Sequence, residues 1–154
     1  MSIKIVEGSL LDTDAQVICH QVNCQGKMNS GVAKAIRTVW PIVFEKYYNH
    51  YQSCKDLNTS PLGDVQKVRV NNSQFVFNLF SQKKYGYDGK QYTSYDAFWN
   101  CLGEIKNKVP KGSKIGFPWR IGCGLGGANW QIIRTMIEEA LGEEYEVYIY
   151  KLEE

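Results

Sequence analysis

Histidine occurs only twice in the 154 residues, at positions 20 and 50, and the five cysteines (19, 24, 54, 101 and 123) contain no C-x-x-C pair. An odd, scattered set of thiols argues against a disulfide framework and against a zinc site. It fits a reducing compartment such as the cytoplasm. No apolar run has the length of a membrane-spanning helix, and a strand pattern begins at Ile3, so neither a signal peptide nor a membrane anchor is expected. An excess of charge of one sign is also missing: the net charge of +2 is too weak for the electrostatic footprint of a nucleic-acid binder. Proline is scarce at four residues. There is no internal repeat, low-complexity segment or linker. With 44% hydrophobic and 22% charged residues, the chain reads as one globular domain over 1–154, expected to be a monomer.

Glycine is concentrated where it matters. The stretch Pro118-Trp-Arg-Ile-Gly-Cys-Gly-Leu-Gly-Gly-Ala-Asn-Trp130 places four glycines between Gly122 and Gly127. An apolar strand pattern (Lys114 to Trp119) runs into it and a helix pattern follows from Asn129–Trp130. Strand, glycine loop and helix together offer an anion several free N–H groups and the positive end of a helix dipole. A second loop, Asn23-Cys-Gln-Gly-Lys-Met-Asn-Ser-Gly-Val32, also joins a strand to a helix. The two loops are expected to clamp one phosphate-bearing ligand.

The remaining chain sorts by periodicity. Ile3–Glu7 is a short strand, Asp12-Thr-Asp14 a turn, and Ala15 to Asn23 a nearly continuous apolar strand for the sheet interior. Asn29 or Ser30 caps a helix starting near Val32, and Trp40-Pro41 interrupts it. An aromatic helix follows (Ile42, Val43, Phe44, Tyr47, Tyr48, Tyr51), read as core packing. Ser53 to Ser60 reads as a polar connection. Val65–Val70 and Phe75–Phe80 form a hairpin across Asn71-Asn-Ser73. Lys83 to Tyr92 is a loop rich in Gly, Tyr and Lys. Thr93, with Asp96, caps a helix that Pro110 stops. Gly142 ends the helix from Trp130 to Leu141, and Glu146–Tyr150 is the last strand. The order β-β-α-β-β-α-β-α-β predicts a three-layer α/β/α sandwich on a mixed central sheet, with ligands at the carboxyl ends of the strands.

Gly122-Cys-Gly-Leu-Gly-Gly127 formally matches the dinucleotide fingerprint. Only one helix and one strand remain after it, so a two-part dinucleotide crevice has no second half. The nucleoside-triphosphate loop is excluded because Gly26-x₄-Gly31 is followed by Val32 rather than Lys.

His20-Gln-Val-Asn-Cys-Gln-Gly-Lys-Met-Asn-Ser-Gly-Val-Ala33, with Pro118-x-Arg-Ile-Gly-Cys-Gly-Leu125, resembles the macro domain. Phe77-Asn-Leu-Phe-Ser-Gln82 and the closing Val147-Tyr-Ile-Tyr150 extend the likeness over nearly the whole chain. The nearest group is the small stand-alone branch of ADP-ribose 1″-phosphate phosphatases and the terminal ADP-ribose protein hydrolase. The resemblance implies binding of ADP-ribose or ADP-ribose 1″-phosphate. Asn23 would meet the distal ribose, and Gly26, Lys27, Met28, Asn29, Ser30, Gly31 and Val32 would form one wall. Pro118, Arg120, Ile121, Gly122, Cys123, Gly124 and Leu125 would form the other, facing the diphosphate. Gln21, Ser81 and Gln82 belong to the same ligand set, and Gly8, Ser9, Leu10 and Tyr150 would lie near the adenine. Many members carry Asp where this chain has Ser9.

Phosphatases of this branch have a histidine matching His20, which implies a catalytic role for it with Asn23: a base that activates or relays through a water. The alternative is a structural strand histidine. The hydrolase branch that frees ADP-ribose from acidic side chains uses a lysine and an aspartate where this chain has Gln82 and Gly126, so that chemistry lacks its nucleophile and its acid. Cys24 and Cys123 could be thiolate nucleophiles, but packing suits them better. No metal or cofactor is expected. Three functions remain open: phosphatase, non-catalytic reader, and a single-stranded RNA binder using Tyr85, Tyr87 and Tyr92 with Lys83, Lys84 and Lys90.

Overall fold

The computed structural model describes residues 3–84, 86 and 88–152. Six strands form one sheet in the order β1-β6-β5-β2-β4-β3. The strands are β1 (Ile3–Glu7), β2 (Val17–Asn23), β3 (Val65–Arg69), β4 (Phe75–Gln82), β5 (Lys114–Pro118) and β6 (Glu146–Lys151). All neighbouring pairs are parallel except β3, which returns antiparallel on β4. The expected mixed sheet and three-layer sandwich are therefore present. β2 and β4 are buried along almost their whole length, as their unbroken apolar character requires of interior strands covered on both faces. β3 closes one edge with the charged Lys67 and Arg69, which discourages pairing with another chain.

Alternation along the strands divides the core in two. One face carries Cys19, Phe77, Leu79, Phe117 and Ile149. It is covered by α3 (Tyr95–Lys108) and α4 (Trp130–Leu141), through residues such as Phe98, Leu102, Ile133 and Ile137. The other face carries Ile18, Val22, Val76 and Phe80. It is covered by α1 (Gly31–Val39) and α2 (Pro41–Asp56), through Ile36, Val43 and Tyr47. The aromatic helix is core where Tyr47 stacks on Phe80, but Tyr48 remains 42% exposed on its outer side. No helix among the described residues is long and apolar enough to cross a membrane. All five cysteines are free thiols.

Two local expectations are corrected. The stretch from Ser53 is not a connection: α2 continues to Asp56, because nothing before Asn58 breaks it, and Asn58 then turns the chain at φ 56°. The cap of α3 is Ser94, whose hydroxyl accepts from the Ala97 N–H, while Thr93 is buried and serves the site. Gly142 ends α4 as expected, with ordinary helical dihedrals rather than a positive φ. α4 is capped by Asn129, whose Oδ1 accepts from the N–H groups of Gln131 and Ile132.

Because five strands run parallel, the loops after β1, β2, β4 and β5 all emerge at one edge, the carboxyl ends of these strands. Phe77 is fully buried in the middle of β4. Phe77→Ala is expected to cost about 3–5 kcal/mol of stability, read from urea unfolding with an unchanged m-value.

Candidate functional site

A cleft of about 780 Å³ opens at that edge, between the loop after β2 (residues 24–30, loop 1) and the loop after β5 (residues 119–129, loop 2). Both glycine loops therefore face one space. Its walls include His20, Gln21, Asn23, Lys27, Met28, Asn29, Ser30, Gly31, Val32, Gln82, Pro118, Arg120, Ile121, Gly122, Cys123, Gly124 and Leu125. Trp119 and Gly126 line it too, and sequence reasoning had not selected them.

Loop 2 is suspended from a segment distant in sequence. The Gly126 carbonyl accepts from the Tyr92 and Thr93 N–H groups at 2.7 and 2.9 Å. The Gly122 carbonyl accepts from Thr93 Oγ1 and from the Ala128 N–H, both at 2.9 Å. The N–H groups of Gly122, Gly124 and Leu125 donate to nothing among the described residues. Gly122 adopts φ 79°, and a Cβ at Gly126 would stand 2.3 Å from Thr93 Oγ1, so neither glycine is replaceable. Arg120 is held at φ 58°, an uncommon strain for a residue with a Cβ. On the opposite wall, α1 begins without a side-chain cap, since the Ser30 hydroxyl makes no capping bond. Its first-turn N–H groups, at Gly31, Val32 and Ala33, border the cleft. Both walls thus present unspent backbone donors, the arrangement that suits an anion.

A polar lattice closes the floor beneath loop 2. Gln21 Nε2 donates to Gln82 Oε1 and Thr93 Oγ1, while Gln21 Oε1 accepts from Ser81 Oγ. Ser81 is fully buried and acts behind the wall rather than on it. Loop 1 is pinned by Tyr47, whose hydroxyl accepts from the Lys27 N–H and donates to Asn23 at its carbonyl and at Oδ1. Burial pushes this phenol up, so it stays neutral. Asn23 itself is spent on the turn: Oδ1 also accepts from the Gln25 N–H, and Nδ2 donates to the Lys27 carbonyl. One Nδ2 proton is left for a ligand. Gly26, at φ 76°, is packed under the Tyr51 ring and is buried, away from the cleft surface.

The residues expected around an adenine do not line the cleft. The Ser9 hydroxyl caps a 3-10 turn (Leu10–Asp12), Leu10 is buried, and the Tyr150 hydroxyl bonds Thr13. They lie beyond it, at the ends of β1 and β6. Gly8 N–H donates to the Lys151 carbonyl there, and the Trp119 N–H to that of Tyr150.

His20 closes the deep end at 1% exposure. Its chemistry is set by a ladder across three strands. Gln66 Nε2 donates to the Lys46 carbonyl of α2, which can only accept. That orients Gln66 Oε1 toward Asn78 Nδ2, and leaves Asn78 Oδ1 facing His20 Nε2 at 2.5 Å. His20 Nε2 must therefore carry the proton. Nδ1 is an acceptor, buried and without a partner among the described residues. Desolvation lowers the His20 pKa to about 4, against a smaller opposing effect of Asn78. At neutral pH this imidazole is neutral and a weak base.

The cysteines of the two loops are packing groups. Burial pushes Cys24 up to about 12, and raises Cys123, whose thiol donates to the Ile121 carbonyl. In the loop before α3, Tyr85 and Tyr87 lie outside the described residues. The Tyr92 hydroxyl donates to Asp88 and Lys84 Nζ sits over its ring, so this tyrosine is already engaged.

The sequence profile of the Macro domain family matches residues 19–152. An ADP-ribose 1″-phosphate phosphatase from Aspergillus oryzae is 36% identical, with 90% of this chain and 89% of that protein aligned. A protein of unknown function from Bacteroides thetaiotaomicron superposes with a TM-score of 0.82 at 30% identity, covering 97% of this chain and 98% of that one. Thermosipho africanus DarTG, solved in complex with ADP-ribose, superposes with a TM-score of 0.75 at 21% identity. That match covers 99% of this chain and 42% of the larger one, and shares its fold.

The depressed His20 pKa has a measurable consequence. Unfolded imidazole titrates near 6.5 and the buried ring near 4, so between these values the unfolded chain binds a proton that the native one refuses. Stability therefore falls as pH drops through this window. Between pH 7 and 5, wild type is expected to lose about 2 kcal/mol more than His20→Gln, measured by urea unfolding at both pH values.

Proposed function

This chain belongs to the macro domain family, and we propose that its cleft binds ADP-ribose and removes the terminal phosphate of ADP-ribose 1″-phosphate. The observation that carries the reading is the pair of glycine loops facing one space with unspent amides on both walls. The diphosphate lies along Gly122, Gly124 and Leu125, opposite the open first turn of α1. The distal ribose and its phosphate reach toward Asn23, His20 and Gln82. The adenine extends toward Gly8, Ser9, Leu10 and Tyr150. The phosphatase of Aspergillus oryzae and the ADP-ribose complex of Thermosipho africanus DarTG support the ligand class.

Hydrolysis adds water across the phosphomonoester, giving ADP-ribose and inorganic phosphate. Catalysis would rest on positioning and on backbone donors that meet the phosphate charge. His20 Nδ1 would accept a hydrogen bond from the attacking water or a sugar hydroxyl, orienting it rather than carrying its proton.

A second reading, a non-catalytic reader of ADP-ribose, is favoured by one observation. His20 is closed off and too weak a base at pH 7 to be a strong proton acceptor. Release of ADP-ribose from acidic side chains has less support, since Gln82 brings no amine and Gly126 leaves no room for an aspartate.

Calorimetry with ADP-ribose, ADP and NAD tests binding. ADP-ribose is expected to saturate the protein, while Gly124→Val, at a position where an added Cβ meets no atom within 4 Å, fills the diphosphate track and weakens binding by more than about tenfold, 1.4 kcal/mol. Unchanged affinity in that variant overturns the placement. Phosphate release from ADP-ribose 1″-phosphate, compared with His20→Ala and Asn23→Ala, then decides between enzyme and reader. Turnover no higher than in the two variants leaves the reader.

A further inference from the structure

The second histidine does not line this cleft. His50 and Cys54 stand four residues apart on α2 and so share one face of its last turns. The backbone then folds back: Asn58 and Gly63 adopt φ values of 56° and 93°. The Thr59 N–H donates to the Cys54 carbonyl at 2.8 Å, and Gly63 N–H to the Phe80 carbonyl at 2.7 Å. The Phe80 N–H in turn donates to the Asp64 carbonyl at 3.0 Å, fixing Asp64 ahead of β3. His50 Nε2 consequently lies 2.9 Å from Asp64 Oδ2 and 3.8 Å from Cys54 Sγ, and all three donor atoms fall within 4.8 Å of one another. The His50 ring is held by Phe80, with centroids 5.2 Å apart.

We propose that His50 Nε2, Cys54 Sγ and Asp64 Oδ2 bind one divalent cation of the zinc type. In a zinc tetrahedron with bonds of about 2.0–2.3 Å, N and O ligands lie about 3.3 Å apart and N and S about 3.5 Å apart. The two His50 separations differ from those values by a few tenths of an ångström, and Cys54 Sγ and Asp64 Oδ2, within 4.8 Å of each other, draw together to about 3.5 Å on closure. One imidazole, one thiolate and one carboxylate select zinc or cobalt over magnesium and calcium, which take oxygen ligands. Binding displaces the Cys54 thiol proton to solvent, and the neutral imidazole coordinates through Nε2 with its proton on Nδ1. The fourth position opens onto a groove of about 620 Å³ lined by Asn100, Glu104 and Asn107 of α3. None of the three ligands lines the nucleotide cleft, so the cation is a fastening between the end of α2 and the start of β3.

The competing explanation is a plain His50–Asp64 ion pair, in which the thiol has no part. Zinc competition against a chromophoric chelator, and cobalt(II) absorption, separate the two on the full chain after chelator treatment and dialysis. The expected result is one zinc per chain and a cobalt spectrum with a thiolate charge-transfer band. His50→Gln, Cys54→Ser and Asp64→Asn should each weaken zinc by at least the roughly 10–100-fold that losing even an outer hydrogen-bond partner costs. His50 and Asp64 are 35% and 46% exposed, so their variants remain informative should Cys54→Ser fold poorly. No zinc uptake at micromolar free metal, equal uptake by wild type and the His50 and Asp64 variants, or a cobalt spectrum lacking the thiolate band each overturns the proposal.

Discussion

Loop 2 is fastened through its carbonyl oxygens. Gly122 and Gly126 each accept two hydrogen bonds, and three of the four donors come from Tyr92 and Thr93, about thirty residues away. A loop anchored in this way keeps its N–H groups in reserve. Had it been anchored through those N–H groups, the same geometry would have left carbonyl oxygens facing the cleft, and an anion would meet repulsion. The fold produces this outcome by placing the short bridge between Gln82 and Thr93 directly beneath the loop. Thr93 Oγ1 occupies the space that any side chain at Gly126 would need. The glycine pattern is thus the imprint of the supporting threonine as much as of the ligand.

The other wall depends on a different economy. Tyr47 sits in the core against Phe80, yet its hydroxyl reaches Lys27 and Asn23 and sets the course of loop 1. The core and the site share this side chain, which couples the packing of α2 to the shape of the cleft. Behind it, the ladder from Lys46 through Gln66 and Asn78 to His20 places three polar side chains against an apolar layer. Every group in it is paired except His20 Nδ1. An unpaired buried acceptor is costly to a fold and is where a bound hydroxyl would be recognised.

Much of the architecture was legible because its signals are local. The β3–β4 hairpin and the Trp40-Pro41 break each rest on residues within a few positions of one another. Where two local signals competed, distant contacts settled the outcome. Thr93 and Ser94 are equally good caps, and the choice fell to Ser94 because Gly122 and Gln21 claim Thr93. Asn23 is expected to meet a ribose, and contacts with Tyr47, Gln25 and Lys27 leave one of its Nδ2 protons for that purpose.

The sequence by itself determined the strand and helix order, the interior place of β2 and the position of both glycine loops, since periodicity and turn chemistry act over short range. Tertiary structure alone decided which donors remain free, which tautomer His20 holds, and that His50, Cys54 and Asp64 meet. These depend on hydrogen-bond partners and burial contributed by residues far apart in the chain, which no spacing along the sequence encodes.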